Sequence, residues 1–218
     1  MDIEIFVNGP HSTWINSCFG NNQFINIVEF KNYQESITKL SNKNNCAALS
    51  VHWPNKFSNE FLNSYKYALN VHPGFLPIGR GSYPIFWSIL DQTIAGVTVH
   101  KMSDIIDDGP ILFRKRVKYR NHDTSGDLWK KIYQVEQELV KSTINLLINN
   151  KKLKFFIPIE QKSIPKKKND FLELLNEPNL EAFDDDYLKR LILACTHHDY
   201  PLPDWISNLN TQNRFGKD

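Results

Sequence analysis

Residues 70–84, NVHPGFLPIGRGSYP, contain two side chains that are able to do chemistry together, Asn70 and His72. They lie two positions apart, so in an extended chain both side chains share one face. An asparagine amide can donate to a developing oxyanion, and a histidine can move a proton near neutral pH. Pro73 and Pro77 restrict the loop that follows. The alternative interpretation is a turn-capping asparagine beside a surface histidine.

Strand and helix patterns place this loop at the edge of a sheet. Short apolar runs predict buried strands at Ile3–Val7, Ile25–Phe30, Ala47–His52, Ala68–Val71, Ile94–Val99 and Ile111–Val117. Helices are predicted at Gln34–Ser41, Asn59–Tyr65, Pro84–Leu90 and, with Thr124 as its cap, from Thr124 onward. This alternation predicts an α/β fold with a Rossmann-like, doubly wound, mostly parallel sheet. Ligands of such sheets bind outside the carboxyl ends of the strands, where the loop begins.

The sequence texture changes after Lys151, where prolines and charges mix with short apolar runs. We therefore expect a main domain over residues 1–150 and a small C-terminal appendage over residues 151–218. Within the appendage, Phe155–Ile159 predicts a strand and Tyr187–Cys195 predicts a helix.

Composition limits the class of protein. The formal net charge of +2 is too balanced for an electrostatic nucleic-acid binder. Three widely spaced cysteines argue against a disulfide framework and for a reducing compartment. No apolar run approaches the roughly 20 residues of a membrane span, and the acidic start MDIEIFVNG predicts no signal peptide. We expect a cytoplasmic protein with neither nucleic acid nor membrane as a partner.

Two blocks resemble one enzyme family. The string NVHPGFLPIGRGSYPIFWSIL is similar to the signature of the N10-formyltetrahydrofolate-dependent formyltransferases, with Asn-x-His, a proline-flanked loop, Arg-Gly, and a proline followed by a tryptophan. The second block, AGVTVHKMSDIIDDGPIL at residues 95–112, resembles that family's Gly-Val-Thr followed by Asp-x-Gly. Both blocks occur in the family's order and at nearly its spacing. The resemblance covers residues 46–150 well and the remainder loosely.

The resemblance implies that Asn70, His72 and Asp107 are the catalytic residues. Asp108 is the alternative for the last role, but the family's aspartate precedes a small residue and then glycine, which selects Asp107. Gly74 stands where the family usually has serine, so a hydroxyl contact is missing there. The stretch before Asn70 is also shorter than in most relatives, so we expect part of the N-terminal sheet to be missing.

The implied reaction moves a formyl group from N10-formyltetrahydrofolate to a neutral amine. Asn70 would stabilise the oxyanion of the tetrahedral intermediate. His72 would accept the amine's proton or help to hold the oxyanion, and both roles remain open. Asp107 would orient His72 or balance its charge. Taken without the first block, the Asp-Asp-Gly run is ordinary turn chemistry.

The amine is best matched by the sugar N-formyltransferases, whose substrates are dTDP- or UDP-linked amino sugars. Arg80, Tyr83 and Trp87 are the candidate substrate-binding residues, although Trp87 suits the core equally well. A glycinamide ribonucleotide transformylase would need a Gly-rich phosphate loop where this chain has VNGPHSTW. A methionyl-tRNA formyltransferase would need a larger RNA-binding domain. A non-catalytic folate- or nucleotide-sugar-binding relative is the alternative outside the enzymes.

The folate is expected to contact backbone groups on two segments. Lys56, Phe57 and Ser58 precede the Asn-x-His strand, and Ile105 lies in the segment Ser103–Asp107 that approaches from the other side. No metal is expected, because CTHHDY at residues 195–200 lacks a second ligand pair at zinc-finger spacing. The apolar residues of Phe155–Ile159 and the habits of similar enzymes predict a homodimer.

Overall fold

A computed structural model of the chain describes residues 1–30, 43–176, 183–197 and 202–206. Its six strands are β1 Asp2–Val7, β2 Ile25–Glu29, β3 Lys43–Val51, β4 Tyr65–His72, β5 Ala95–Lys101 and β6 Ile111–Val117. The helices in these ranges are α1 His11–Phe19, α2 Asn59–Ser64, α3 Pro84–Leu90, α4 Ser125–Ile148, α5 Lys168–Asn176 and α6 Asp185–Cys195. The predicted helix Gln34–Ser41 lies outside the described residues.

The strands form one sheet in the order β2-β1-β3-β4-β5-β6. The first four strands in that order are mutually parallel, whereas β5 pairs antiparallel with both β4 and β6. The α/β class with a mostly parallel sheet is therefore confirmed. Because the chain turns back directly between β5 and β6, this end of the sheet needs no helical crossover. The N-terminal strands β1 and β2 both belong to the sheet, and a shortening of the N-terminal part relative to the family stays a prediction.

Successive side chains of the central strands pack into two separate hydrophobic cores, one on each face of the sheet. On β1, Ile5 joins the large cluster that includes Leu69 and the buried side of α4, while Phe6 joins a smaller cluster with Phe57 and Phe61 under α2. The alternation follows from the period of two in a strand. A sheet buried on both faces explains the nearly continuous apolar runs of its parallel strands.

Helix α4 is the largest single element and forms as its sequence predicts. Thr124 and Asp127 make a reciprocal capping box at its start, an arrangement that typically contributes about 1 kcal/mol to helix stability. Leu128, Ile132 and Leu139 then recur at helical spacing and are buried. Burial of each such side chain contributes about 1.5–3 kcal/mol, so this stripe anchors α4 on the sheet.

The C-terminal segment contributes to the main core and to the loop after β4. Leu191 and Ala194 of α6 are buried in the same cluster as the sheet residues. The predicted strand Phe155–Ile159 is wrong, because Phe156 alone makes a bridge, to Ile111. Pro158 follows closely and has no N–H for a ladder, and Ile159 is 98% exposed. The division at residue 150 stays a prediction.

Within the ranges given above, none of the helices combines the length and the apolarity that crossing a bilayer requires.

Candidate active site

Asn70 and His72 lie at the carboxyl end of β4, next to the antiparallel strand β5. The register pairs Asn70 with His100 and His72 with Thr98. The buried Thr98 hydroxyl donates to the carbonyl of Gly74 at 2.7 Å and accepts from the N–H of Leu76 at 3.0 Å. Strand β5 therefore holds the loop after His72 in place.

The imidazole of His72 is buried and contacted at both nitrogens. Its Nε2 lies 2.8 Å from the carbonyl oxygen of Gly79, which can only accept, so Nε2–H is the donor. Its Nδ1 faces the carboxylate of Asp107, 3.6 Å from Oδ2. The ring is thus fixed between a loop carbonyl and a negative charge. A proton on Nδ1 would be stabilised by that charge.

The carboxylate of Asp107 lies between two imidazoles. Oδ2 accepts from the N–H of Gly81 at 2.8 Å, and Oδ1 lies 3.5 Å from His100 Nε2. Burial by itself raises the pKa of Asp107, but His72, His100 and the Gly81 N–H together outweigh it and hold that pKa well below its usual range. Asp107 is therefore ionised at neutral pH.

Asp108 lies close by but faces other partners. Its carboxylate pairs with Lys162 at 2.9 Å and with Arg80 at 3.4 Å. The backbone of Asp107 adopts a left-handed φ of 53°, and this turn directs the two neighbouring carboxylates to different partners. The structure thus places Asp107, the residue selected from the sequence, next to His72.

His100 is a member of the site that the sequence analysis missed. Its Nδ1 lies 3.1 Å from the carbonyl of Lys101, and its Nε2 lies 3.3 Å from the Asn70 amide nitrogen. With Nδ1–H donated to that carbonyl, a neutral His100 ring accepts from the Asn70 amide at Nε2, and a protonated ring instead donates Nε2–H to Asp107. The predicted strand stopped at Val99, one residue short of His100. Extending the alternation from Thr98 would have placed His100 on the face of Asn70.

We expect His100→Ala to lower kcat about fivefold with little change in KM, since one hydrogen bond that orients Asn70 is worth about 1 kcal/mol. Steady-state kinetics measure both constants. The matched control is His122→Ala, at an exposed turn position, which should keep the wild-type kcat. An unchanged kcat in His100→Ala, or an effect confined to KM, would contradict a positioning role.

Gly74, where the family usually has serine, closes tightly over His72. A Cβ at this position would lie 2.5 Å from His72 Nε2 and 2.7 Å from the carbonyl oxygen of Gly79. Real Cβ atoms do not approach other atoms so closely. Glycine at this position therefore permits the contact between His72 and Gly79.

We expect Gly74→Ala to lower the free energy of unfolding by about 1–3 kcal/mol, because the added methyl overpacks a closed site. Urea unfolding monitored by circular dichroism measures the loss. Combining it with His72→Ala should recover part of the loss, since the clashing imidazole atoms Nε2 and Cδ2 are then gone and only the Gly79 carbonyl oxygen remains. Strictly additive effects in this double-mutant cycle would show that the methyl group does not press on His72.

Arg80 is buried and binds backbone carbonyls of the loops around the site. Its guanidinium donates to the carbonyl of Ile106 at 2.8 Å and to that of Ser163 at 3.3 Å, in addition to its ion pair with Asp108. These contacts hold the segment that carries Asp107. Contact of Arg80 with a substrate stays a prediction.

The two aromatic candidates for substrate binding differ in exposure. Tyr83 is 40% exposed and stacks on Phe171, with ring centroids 3.9 Å apart. Trp87 is buried in the main core, with the ammonium of Lys166 4.0 Å above its ring. The structure therefore leaves a surface for a ligand at Tyr83, while Trp87 packs in the interior.

A cavity of about 420 Å³ lies beside one of the two segments assigned to the cofactor, and its lining includes Ser103 and Asp104 together with residues of α2 but none of Lys56, Phe57, Ser58 or Ile105. Lys56 Nζ donates to the carbonyl of Asp104 at 2.6 Å, which joins the segments. Phe57 is buried in the smaller core, and Ser58 caps α2. Ile105 is 54% exposed beside them. A cavity of this size is typical of small-molecule sites.

The CTHHDY segment shows no sign of metal ligation in its described part. Burial raises the pKa of the Cys195 thiol to about 12, which disfavours the thiolate that binds metals. The ring of His197 lies edge-on to Trp129, with centroids 5.6 Å apart. Residues 198–200 lie outside the described residues.

Comparisons with known proteins point to one family. The family model described as formyl transferase matches residues 27–144, more than half of the chain. A dTDP-4-amino-4,6-dideoxyglucose formyltransferase of Mycobacterium bovis is 36% identical over 92 residues, which cover 42% of this chain and 39% of that protein. A methionyl-tRNA formyltransferase of Borreliella burgdorferi is 36% identical over 148 residues, covering 64% of this chain and 44% of that protein. The chain thus spans about two fifths of the length of these relatives.

The fold is also similar to that of a solved enzyme. The structure of an N-formyltransferase from Helicobacter canadensis in complex with folinic acid and dTDP-3-aminofucose matches with a TM-score of 0.74 at 17% identity. The match covers 93% of this chain and 83% of that one. With its family model matched over more than half of its length, the chain belongs to the formyl transferase family.

Proposed function

We propose that the protein is an N-formyltransferase that moves a formyl group from N10-formyltetrahydrofolate to the amine of a nucleotide-linked amino-deoxy sugar. The observation that carries the proposal is the convergence of Asn70, His72 and Asp107, with His100 between Asn70 and Asp107. An amide donor beside a carboxylate-paired imidazole suits a reaction that forms an oxyanion and moves a proton.

The proposed mechanism begins with attack of a neutral amine on the formyl carbon. The C–N bond to the amine forms, and the carbonyl oxygen becomes an oxyanion that the Asn70 amide stabilises. The amine loses a proton and the tetrahydrofolate nitrogen gains one as its bond to the formyl carbon breaks. His72 is placed to carry a proton on Nδ1, because the ionised Asp107 faces that nitrogen.

The choice of an amino sugar rests on the mycobacterial relative, which is a formyltransferase for a dTDP-linked amino sugar. The solved Helicobacter enzyme binds folinic acid and a dTDP-amino sugar, which supports a folate donor and a nucleotide-sugar acceptor. The second candidate acceptor is methionyl-tRNA, because the Borreliella relative has the same identity over a longer stretch. We favour the sugar, since a net charge of +2 gives little attraction to RNA phosphates.

The test is a mass-spectrometric screen with N10-formyltetrahydrofolate as donor. Its acceptors are dTDP- and UDP-linked 3- and 4-amino sugars, methionyl-tRNA and glycinamide ribonucleotide. We expect a formylated product from an amino-sugar nucleotide, and none from that acceptor with Asn70→Ala. Formylation of methionyl-tRNA or glycinamide ribonucleotide alone would reassign the substrate, and an absence of product from every acceptor would contradict the enzymatic proposal.

We further propose a homodimer that buries the apolar side chains exposed in the segment after α4. These are Phe156, Ile157, Ile159 and Ile164, which are 44%, 64%, 98% and 86% exposed. Pairing about a two-fold axis would cover them. Light scattering at micromolar concentration should give twice the 25.5 kDa of one chain, and a single-chain mass throughout a dilution series would rule the dimer out.

We also propose that the protein works in the cytoplasm, which is supported by its three widely spaced cysteines, an odd number that does not suit a disulfide framework. Cell fractionation would test this placement, and recovery of the protein from an oxidising compartment would overturn it.

A further inference from the structure

A second cluster of chemically active side chains contains none of the residues of the candidate active site. His11, His52 and Glu136 each direct one ligand-type atom toward the others, and these atoms lie within 4.8 Å of one another. His52 Nε2 is 2.8 Å from Glu136 Oε1, and His11 Nε2 is 3.5 Å from Glu136 Oε2. The rings of His11 and His52 stack with their centroids 4.1 Å apart.

The cluster leaves two buried polar atoms unsatisfied. His11 and Glu136 are fully buried, and among the described residues neither His11 Nε2 nor Glu136 Oε2 has a hydrogen-bond partner. An ionised carboxylate buried at the centre of a protein costs several kcal/mol unless it is fully compensated. Of the two imidazoles, that of His52 contacts only Oε1 of the Glu136 carboxylate, at 2.8 Å. Two unpartnered atoms that face each other are the arrangement that a bound cation would complete.

The cluster occupies the position where open α/β sheets bind ligands. His11 follows β1 and His52 follows β3, and the sheet order reverses between these two adjacent strands. That crevice is the general ligand site of doubly wound folds. In an extended chain His52 would share the face of Ser50 and Asn70, but its left-handed φ of 54° breaks the alternation and its ring meets Glu136 on α4.

We propose that His11, His52 and Glu136 form a binding site for a divalent transition metal ion of the zinc type. Two imidazoles and one carboxylate are a ligand set of three-ligand zinc sites that keep a fourth position open. Ligand bonds of about 2.0–2.2 Å at tetrahedral angles put neighbouring ligand atoms about 3.3–3.6 Å apart, which the 3.5 Å between His11 Nε2 and Glu136 Oε2 already matches. The two stacked imidazoles must turn out of their parallel arrangement for both Nε2 atoms to face one ion. The side chain of His52 is 28% exposed, which gives an ion a path of entry and leaves the fourth position to water.

Binding rearranges protons within the cluster. The proton that His52 shares with Glu136 leaves as the ion takes its place. Trp14 Nε1 donates to His11 Nδ1 at 3.3 Å, so the proton of the neutral His11 sits on Nε2 and must move to Nδ1 for Nε2 to ligate. Trp14 is half-buried, and its indole N–H can turn to water. The fluorescence of Trp14 should therefore respond to the metal.

The test is a Zn²⁺ titration of chelator-treated protein in competition with a chromophoric chelator. We expect one Zn²⁺ per chain and a change of tryptophan fluorescence that Trp14→Phe removes. His52→Asn and Glu136→Gln should weaken binding at least about tenfold. Asparagine tolerates the left-handed backbone of residue 52, and glutamine keeps the shape of Glu136.

The matched control is His122→Asn, at an exposed position outside the cluster, which should bind Zn²⁺ as the wild type does. Circular dichroism establishes that each variant is folded, and His52→Asn decides the matter alone if Glu136→Gln does not fold. No stoichiometric binding by the wild type, or equal binding by His52→Asn and the wild type, would overturn the proposal. Because the readout is metal binding, failure here leaves the proposed formyl transfer standing.

Discussion

Replacing Asn70 by alanine is expected to lower kcat for formyl transfer by a factor of roughly 10² or more, because one preorganised oxyanion donor is worth about 2.7–4 kcal/mol. The Asn70 amide is held for this purpose by the contact of its Nδ2 with His100 Nε2 at 3.3 Å, which leaves its second N–H for the substrate. His72→Ala should lower kcat to a similar degree, through loss of the proton-carrying group. Steady-state kinetics with the acceptor found in the screen measure both variants.

The control is Asn26→Ala, which makes the same change on the edge strand β2, three strands away from Asn70. It should retain the wild-type kcat, and circular dichroism should show that all variants are folded. Activity within about threefold of wild type in both Asn70→Ala and His72→Ala would remove the catalytic assignment.

The elements of this fold were predictable because their signals are local. The parallel strands are buried on both faces, so their sequences are nearly continuous apolar runs. Helix α4 is predicted by its N-terminal cap and its apolar stripe at helical spacing. Phe155–Ile159 carries an apolar signal of the same kind yet forms only one bridge. Pro158 has no N–H for a ladder bond, and the absence of a longer partner strand among the described residues is set by tertiary contacts that a short window of sequence does not show.

Residues of the candidate site could be placed together from the sequence only when they belong to one short motif. Asn70 and His72 are two residues apart, so their common strand face follows from the sequence. Contact between His72 and Asp107 depends on the antiparallel return of β5 and on the left-handed turn at Asp107, and it entered the sequence analysis only through the family resemblance. The inward contacts of Arg80 could not be foreseen, because an Arg-Gly pair reads equally well as a surface or a substrate contact.

The cluster of His11, His52 and Glu136 could not be predicted from the sequence at all. Its members follow β1, follow β3 and lie within α4, so no spacing rule for metal ligands connects them. The backbone φ of 54° that brings His52 to Glu136 has no glycine or asparagine to signal it. The sequence therefore predicted no metal, and the proposal of a site rests on tertiary contacts alone.

Asp107→Asn is expected to lower kcat by roughly 10² to 10⁴, the range in which loss of a carboxylate beside a catalytic imidazole falls. Asparagine adopts the left-handed φ of this position as readily as aspartate, so the backbone should stay in place while the negative charge between His72 and His100 is lost. Kinetics at neutral pH measure the effect, since the depressed pKa of Asp107 keeps the wild-type carboxylate ionised there.

Asp108→Asn is the matched control, with the same chemical change one residue away. Asp108 pairs with the half-exposed Lys162 and with the buried Arg80, and Arg80 keeps its bonds to the carbonyls of Ile106 and Ser163 when Asp108 becomes asparagine. The kcat of Asp108→Asn should therefore stay within about threefold of wild type. If Asp108→Asn were the damaging change and Asp107→Asn the mild one, the catalytic carboxylate would belong to the Arg80 side of the loop. The contact of His72 with Asp107 would then serve only to hold the loop, and the proposed path of the proton through His72 Nδ1 would fail with it.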